Sequence, residues 1–153
     1  MVQRIYFDTS VFGGYYDSMF AEFTQPLFER VKNGELQIVY SALTEQELEP
    51  APQRVKQLVR SLPVESVEFI DITAEAVKLA SQYIAEKAVG KTSYEDCLHI
   101  AIATINKVDY LTSWNFKHIV NTTRIRNYNA VNLKMGYMTL EIRSPRDLMK
   151  YED

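Results

Sequence analysis

The chain has 153 residues, about one domain's worth, with 46% hydrophobic and 24% charged residues and a net charge of −3. This composition excludes a disordered or collagen-like chain, and the single cysteine excludes an internal disulfide. The first residues show no secretory pattern, and no run of about 18 apolar residues occurs along the sequence. We therefore expect a soluble, cytoplasmic protein with one domain over residues 1–150 and no membrane association.

Charge is distributed unevenly along the chain. Residues 117–150 contain seven Lys or Arg against two Asp or Glu, whereas residues 1–116 contain ten against sixteen. An acidic site beside an anion-binding surface would produce this imbalance, and so would surface charge that only serves solubility. Both interpretations stay open on charge alone.

The predicted elements alternate between short strands rich in β-branched and aromatic residues and helices bounded by Gly, Pro, Asn, Ser or Thr. In chain order they are a strand over Val2–Phe7, a helix over Thr24–Lys32, a strand over Leu36–Tyr40, helices over Ser41–Glu49 and Arg54–Leu62, a strand over Val67–Ile72, helices that begin at Thr73 and at Ser93, a strand over Val108–Thr112, helices over Trp114–Val120 and Thr122–Met135, a strand over Thr139–Ile142, and a helical turn after Ser144-Pro145.

Three of the predicted helices have features that can be predicted in more detail. Thr9 or Ser10 suits the N-cap of a helix that follows the first strand. The helix from Thr73 shows an apolar stripe that ends at Gly90. That stripe comprises Val77, Ala80, Ile84 and Ala88. The helix from Ser93 is apolar nearly all round, which indicates burial between layers.

Strands that alternate with helices predict an α/β fold, a central parallel sheet with helices on both faces. In such a sheet, ligands bind beyond the carboxyl ends of the strands. Asp8 directly follows the first strand, and Asn115 follows the strand that ends at Thr112. Asp96 and Glu47 stand near the starts of two helices. These four side chains can meet at one sheet edge, although helix capping and plain surface charge would also explain each of them separately.

Several carboxylates in one place repel one another unless a cation neutralises them, and a hard divalent ion with oxygen ligands meets that need. Such an ion can activate water and hold the oxygens of a phosphoryl displacement. A structural zinc site is poorly supported, because the chain has two histidines and one cysteine. His99 and Cys97 lie in the buried helix, where we expect both to be core residues.

Four segments, taken in order and spacing, resemble the PIN domain, and more narrowly the VapC-type toxins of toxin–antitoxin modules. They are IYFDTSVFGG, SALTEQELE, YEDCLHIAIA and DYLTSWNFKHI. The resemblance covers essentially the whole chain and implies a PIN-like three-layer α/β/α fold. It also implies a Mg²⁺- or Mn²⁺-dependent ribonuclease that hydrolyses RNA phosphodiester bonds with a water molecule. The resemblance further implies that the protein binds a small antitoxin protein and forms a homodimer.

The resemblance also assigns residues. Asp8, Glu47 and Asp96 match the three acids of the family; Asp8 and Asp96 are the implied direct metal ligands, and Glu47 a water-mediated ligand or the group that orients the water. Asn115 matches a fourth catalytic position that is more usually Asp, so a second metal ion is in doubt. Ser10 and Ser113 match supporting hydroxyl positions.

Under this reading the basic third of the chain contacts RNA, with Arg124, Arg126 and Arg143 on phosphates and Tyr15 and Tyr16 stacked on bases. For the neighbouring Phe12 we expect core packing instead. Two alternatives stay open. One is a PIN nuclease of RNA processing or decay outside a toxin pair, and the other is an RNA- or protein-binding module with weakened catalysis.

Overall fold

Five short strands form a single parallel sheet in the computed structural model, which describes residues 2–87, 90 and 93–149. The strands are β1 (Gln3–Phe7), β2 (Leu36–Ser41), β3 (Val67–Ile70), β4 (Tyr110–Thr112) and β5 (Ile142–Arg143). Their order across the sheet is β3-β2-β1-β4-β5. All four neighbouring pairs are parallel, which confirms the predicted sheet.

Helices cover both faces of this sheet. Within the described residues they are α1 (Thr9–Gly14), α2 (Ala21–Lys32), α3 (Ala42–Leu48), α4 (Gln53–Arg60), α5 (Ala74–Ala85), α6 (Tyr94–Ile105), α7 (Thr122–Lys134) and α8 (Pro145–Met149). None of them is both long enough and apolar enough to cross a membrane.

Each face of the sheet has its own apolar core, because successive side chains of a strand point to opposite faces. Tyr6 of β1 belongs to the core beneath α5, α6 and α7. Its neighbours Ile5 and Phe7 belong to the opposite core, beneath α1, α2 and α4. Phe12 is fully buried in that second core, as expected. The molecule therefore has the predicted three layers, α/β/α.

β1 occupies the position at which the strand order reverses. The chain adds β2 and β3 on one side of β1, and then returns to place β4 on the other side. The backbone N–H of Asp8 donates to the carbonyl of Thr112 at 3.0 Å, so the ends of β1 and β4 lie side by side. In open α/β sheets this is the edge at which ligands bind.

Helix α6 is buried as predicted, whereas the predicted face of α5 is wrong at Val77 and Ile84 and correct at Ala80. Every residue of α6 from Cys97 to Thr104 is buried. On α5 the buried residues are Ala76, Leu79, Ala80 and Tyr83, while Val77 and Ile84 are 39% and 43% exposed. The helix is thus turned by about one residue, which buries the large Leu79 and Tyr83 side chains. It ends at Ala85, before Gly90, and Ala88 lies outside the described residues.

The predicted helix over Trp114–Val120 is wrong as well. This segment forms turns in which the carbonyl of Asn115 accepts from the N–H groups of Ile119 and Val120. α7 begins only at Thr122, with Asn121 as its N-cap. The last strand is also displaced, since it covers Ile142–Arg143 and not Thr139–Ile142.

Candidate metal centre

Asp8 lies directly after β1 and is almost fully buried, with 7% of its side chain exposed. Its carboxylate accepts hydrogen bonds from the hydroxyls of Ser10, at 2.7 Å, and Ser113, at 2.9 Å. The same oxygen lies 3.4 Å from the Ser10 backbone N–H, so Asp8 is the N-cap of α1, where the sequence had favoured Thr9 or Ser10. Two hydroxyl donors on one oxygen fix the orientation of this carboxylate at the switch point of the sheet.

Glu47 reaches the same place from α3. Its Oε1 accepts from the hydroxyl of Thr9 at 2.5 Å and lies 2.6 Å from Nε2 of His99. With 31% of its side chain exposed, Glu47 is open to solvent on one side. The predicted approach of Glu47 to Asp8 at one edge of the sheet is therefore present.

His99 stands between the two acids. Its Nε2 lies 3.6 Å from Oδ1 of Asp8 as well as 2.6 Å from Glu47. Its other ring nitrogen, Nδ1, lies 2.6 Å from the hydroxyl of Tyr6, which in turn lies 2.7 Å from the Ser41 hydroxyl. His99 is buried, as expected of a core residue, but its partners are the acids of the site.

The side chains of Asp8, Glu47 and His99 each offer one ligand atom, and these atoms lie within 4.8 Å of one another. Two carboxylates this close together are oxygen ligands that suit Mg²⁺ or Mn²⁺, whereas Nε2 of His99 is engaged by Glu47. The residues therefore fit a divalent metal ion.

Asp96 lies beside this trio and not within it. It stands in the first turn of α6, where its N–H donates to the hydroxyl of Ser93, the N-cap. It precedes His99 by three residues, which places both on one face of the helix.

The pKa values in the cluster show how the groups act on one another. Burial raises the pKa of Asp96, and the negative charge of Asp8 raises it further against the hydrogen bond to Ser93. Burial alone would lower the pKa of His99, but the hydrogen bond to Glu47 and the charge of Asp8 hold it above its ordinary value. Desolvation works to raise the pKa of Glu47, yet His99 and Thr9 hold it below its ordinary value. The cluster thus concentrates negative charge and compensates for it in part.

Asn115 lies at the rim of the acidic cluster, and its side-chain oxygen and nitrogen have different partners. Its carbonyl oxygen accepts from the N–H of His118 at 2.9 Å, and its amide nitrogen lies 3.5 Å from an oxygen of Asp96. Its backbone N–H donates to the Ser113 hydroxyl. Asn115 is therefore both near the acids and a cap of the turn that follows β4.

The three candidate arginines lie on β5 and α7. The register of β4 and β5 sets Arg143 opposite Thr112, and its carbonyl accepts from the N–H of Ser113 at 3.3 Å. Its guanidinium contacts Glu141 at 3.1 Å. A Cβ added at Gly90 would lie 3.5 Å from the guanidinium of Arg124, which places Arg124 near the start of α6. Arg126 is exposed on α7.

Tyr15 and Tyr16 follow α1, and their rings contact each other and residues of α2 and α4. Tyr15 packs edge-on against Phe28. The guanidinium of Arg54 lies 4.8 Å above the Tyr16 ring, whose hydroxyl donates to the Arg54 carbonyl. These contacts tie both rings to the protein, so base stacking by them stays a prediction.

Sequence reasoning missed His99 as part of the site. A single histidine in an apolar helix looks the same whether it packs in a core or faces a site. The available signal was its spacing, because His99 follows the candidate ligand Asp96 by one helical turn.

Comparisons with known proteins place the fold. No family model and no curated protein sequence matches the chain. Solved structures do match it. VapBC2 from Rickettsia felis, bound to a DNA fragment from its promoter, has a TM-score of 0.59 at 14% identity, over 93% of this chain and 98% of that chain.

Two further structures agree. DNA-bound VapBC from Salmonella typhimurium has a TM-score of 0.58 at 16% identity, over 95% of this chain and 99% of that chain. VapC20 from Mycobacterium tuberculosis, a sarcin-ricin loop cleaving toxin, has a TM-score of 0.58 at 12% identity, over 89% of this chain and 98% of that chain. Together with the parallel sheet and its layers, these matches show that the chain has the PIN-like α/β/α fold of the VapC structures.

Proposed function

We propose that the chain is a divalent-metal-dependent ribonuclease and the toxin of a toxin–antitoxin pair. The observation that carries the proposal is the convergence of Asp8, Glu47 and His99 within 4.8 Å at the switch point of the sheet. The fold supports it, because one structure that shares it is a toxin that cleaves the sarcin-ricin loop.

Asp8, Glu47 and Asp96 are the residues that would hold the metal. A bound Mg²⁺ or Mn²⁺ supplies a polarised water and stabilises the negative charge that develops on the phosphate. The hydroxyls of Ser10 and Ser113 keep the Asp8 carboxylate in one orientation, so it needs little reorganisation when it binds. Glu47, with 31% of its side chain exposed, would accept a hydrogen bond from the attacking water.

The basic side chains extend the site toward RNA. Arg143 stands on the strand next to β4, and Arg124 stands near the start of α6. Guanidinium groups on both sides of the acidic centre would offset its repulsion of a polyanion. We assign them, with Arg126, to the RNA backbone.

The antitoxin partner follows from the complexes that share this fold. VapBC of Rickettsia felis and Salmonella typhimurium were solved as complexes bound to DNA. We propose that this chain likewise pairs with a small DNA-binding antitoxin and forms a homodimer. A gene for such a protein beside that of the chain, and a stable complex after co-expression, would support the toxin over a nuclease of RNA processing or decay.

Asn115 favours a second candidate, an RNA- or protein-binding module with weakened catalysis. An amide replaces a carboxylate here, and its oxygen already accepts from His118. This candidate expects RNA binding without cleavage at any divalent-ion concentration.

RNA cleavage with Mg²⁺ or Mn²⁺, with and without EDTA, tests the proposal on the wild type, Asp8→Asn and Asp109→Asn. Asp109 is a matched control, because it accepts from the Arg4 N–H just before β4, at the opposite edge of the sheet. We expect cleavage that EDTA abolishes, a large loss in Asp8→Asn and wild-type activity in Asp109→Asn. Cleavage that resists EDTA, or equal activity in the two variants, would contradict the proposal.

A further inference from the structure

A chain of hydrogen bonds runs from the core to Glu47. It connects the side chains of Ser41, Tyr6, His99 and Glu47, with contacts of 2.7, 2.6 and 2.6 Å. Tyr6 and Ser41 are fully buried, and His99 is 1% exposed. Buried polar groups are costly unless each finds a partner, and in this row each side chain is the partner of the next.

The chemistry of the partners fixes the direction of the bond between His99 and Glu47. A carboxylate only accepts hydrogen bonds, so Nε2 of His99 carries the proton that is shared with Glu47. In the neutral ring Nδ1 is an acceptor and the Tyr6 hydroxyl donates to it, whereas in the protonated ring Nδ1 donates to the Tyr6 oxygen. In both states the Tyr6 and Ser41 hydroxyls share a further hydrogen bond. The row therefore ends in one N–H group that points at the Glu47 carboxylate.

The positions of Tyr6 and His99 in the fold make the Nε2–H group of His99 rigid. Tyr6 lies in the central strand β1, and His99 lies on the most deeply buried helix, α6. Glu47, in contrast, stands on a seven-residue helix with its side chain partly open to solvent. Thr9 and His99 both hydrogen-bond to Glu47, but Thr9 is only partly buried whereas His99 is buried.

We propose that His99, held by Tyr6, is a positioning residue that keeps the Glu47 carboxylate turned toward Asp8. The inference rests on the proposed function, because Glu47 needs a fixed orientation only if it serves a metal or a water there. His99 keeps its Nε2 proton when the metal binds and is not itself a ligand. Removal of groups that orient metal ligands typically costs 10–100-fold in affinity.

Four variants separate positioning from general stability. His99→Gln keeps an N–H donor near the place of Nε2, while His99→Leu removes it. Tyr6→Phe removes only the hydroxyl that holds the ring. Tyr83→Phe is the matched control, because Tyr83 is a fully buried tyrosine whose hydroxyl donates to Asn132 in the core away from Glu47.

Mn²⁺ affinity of the free protein, measured by calorimetry, is the first readout. We expect a loss of about tenfold or more in His99→Leu, a smaller loss in Tyr6→Phe, recovery of most of the affinity in His99→Gln, and no change in Tyr83→Phe. Wild-type affinity in Tyr6→Phe and in every folded His99 variant would overturn the proposal. So would an equal loss in Tyr83→Phe.

NMR of the imidazole nitrogens in the free protein is the second readout, and it does not depend on nuclease activity. We expect a protonated Nε2 whose signal shifts in Glu47→Gln and persists when diamagnetic Mg²⁺ is added. A bare Nε2, or loss of its proton on Mg²⁺ binding, would overturn the proposal. If Asp8→Asn leaves Mn²⁺ affinity unchanged, the proposed function fails; if it lowers the affinity while the His99 and Tyr6 variants do not, only this inference fails.

Discussion

The hydroxyl of Ser113 donates to the carboxylate of Asp8 at 2.9 Å and so joins the ends of β1 and β4 across the switch point of the sheet. The same oxygen of Ser113 accepts from the N–H of Asn115. The Ser113 side chain thereby orients the carboxylate of Asp8, a candidate metal ligand, and holds the start of the turn that contains Asn115.

Ser113→Ala should lower the free energy of unfolding by about 1–3 kcal/mol, because it leaves a buried carboxylate short of one donor. RNA cleavage should fall by about tenfold or less, since Ser10 still donates to Asp8. Denaturant unfolding and cleavage kinetics check both effects. Ser61→Ala is the control, because the Ser61 hydroxyl donates to the Leu58 carbonyl at the end of α4, away from Asp8. Equal unfolding curves for wild type and Ser113→Ala would contradict the assigned role.

Gly14 and Gly13 should respond in opposite ways to the same substitution. A Cβ at Gly14 would lie 2.7 Å from Nε1 of Trp114, whose ring stacks on Phe20 and donates to Thr24. Gly14→Ala should therefore cost about 1–3 kcal/mol of stability. Gly13 has nothing within 4 Å of such a Cβ, so Gly13→Ala should be neutral or stabilise by about 0.4–1 kcal/mol. Thermal or denaturant unfolding of both variants is the measurement, and equal effects would contradict the packing described for Trp114.

Asn115→Asp should tighten Mn²⁺ binding to the free protein, because it adds a carboxylate next to Asp96 while the cap of the turn is kept. Asn115→Ala should cost about 1 kcal/mol of stability through loss of the cap. Asn121→Asp serves as control, since Asn121 is likewise a cap, accepting from the N–H of Arg124 at the start of α7. If Asn115→Asp and Asn121→Asp leave Mn²⁺ affinity equally unchanged, Asn115 is a cap and no part of the metal centre.

The double variant Arg124→Gln/Arg143→Gln should bind RNA more weakly whatever the sequence, with a salt dependence flatter by about one slope unit for each lost phosphate contact. Binding measured over a range of salt concentrations tests this. Lys56→Gln/Arg60→Gln on α4 changes charge equally and should leave the slope alone. If the salt dependence of RNA binding is unchanged in Arg124→Gln/Arg143→Gln, these arginines do not contact RNA and serve solubility instead.

Cys97 should be inert to thiol reagents near neutral pH as long as the protein is folded. Burial raises the pKa of Cys97 to about 12, and the charge of Asp96 adds to the effect, so the reactive thiolate is scarce. Since the chain has one cysteine, alkylation followed by mass spectrometry reports on it alone. Rapid labelling of the folded protein would contradict this burial, and rapid labelling in denaturant is the control.

The sheet and the meeting of Asp8 with Glu47 could be predicted, because parallel strands bring their carboxyl ends to one edge. The buried face of α5 could not be predicted from the sequence. Ala76, Leu79, Ala80 and Tyr83 form a stripe with helical spacing, as do Val77, Ala80, Ile84 and Ala88. Packing of α5 against α6 and α7 decides between the two stripes.

The turn over Trp114–Val120 escaped prediction for a similar reason. Its sequence has helical spacing, but the carbonyl and side chain of Asn115 accept from Ile119, Val120 and His118 and close a turn there. His99 was misjudged because its partners Tyr6 and Glu47 come from distant segments, and sequence order does not show which ring a buried helix presents to them.

Diffraction from crystals grown with Mn²⁺, recorded to show anomalous scattering, tests the central claim that these acids form a metal centre. We expect an anomalous peak beside the carboxylates of Asp8 and Glu47 in the wild type, and its loss in crystals of Asp8→Asn. A wild-type structure without a peak at this edge of the sheet, or with Mn²⁺ bound only elsewhere, would contradict the account.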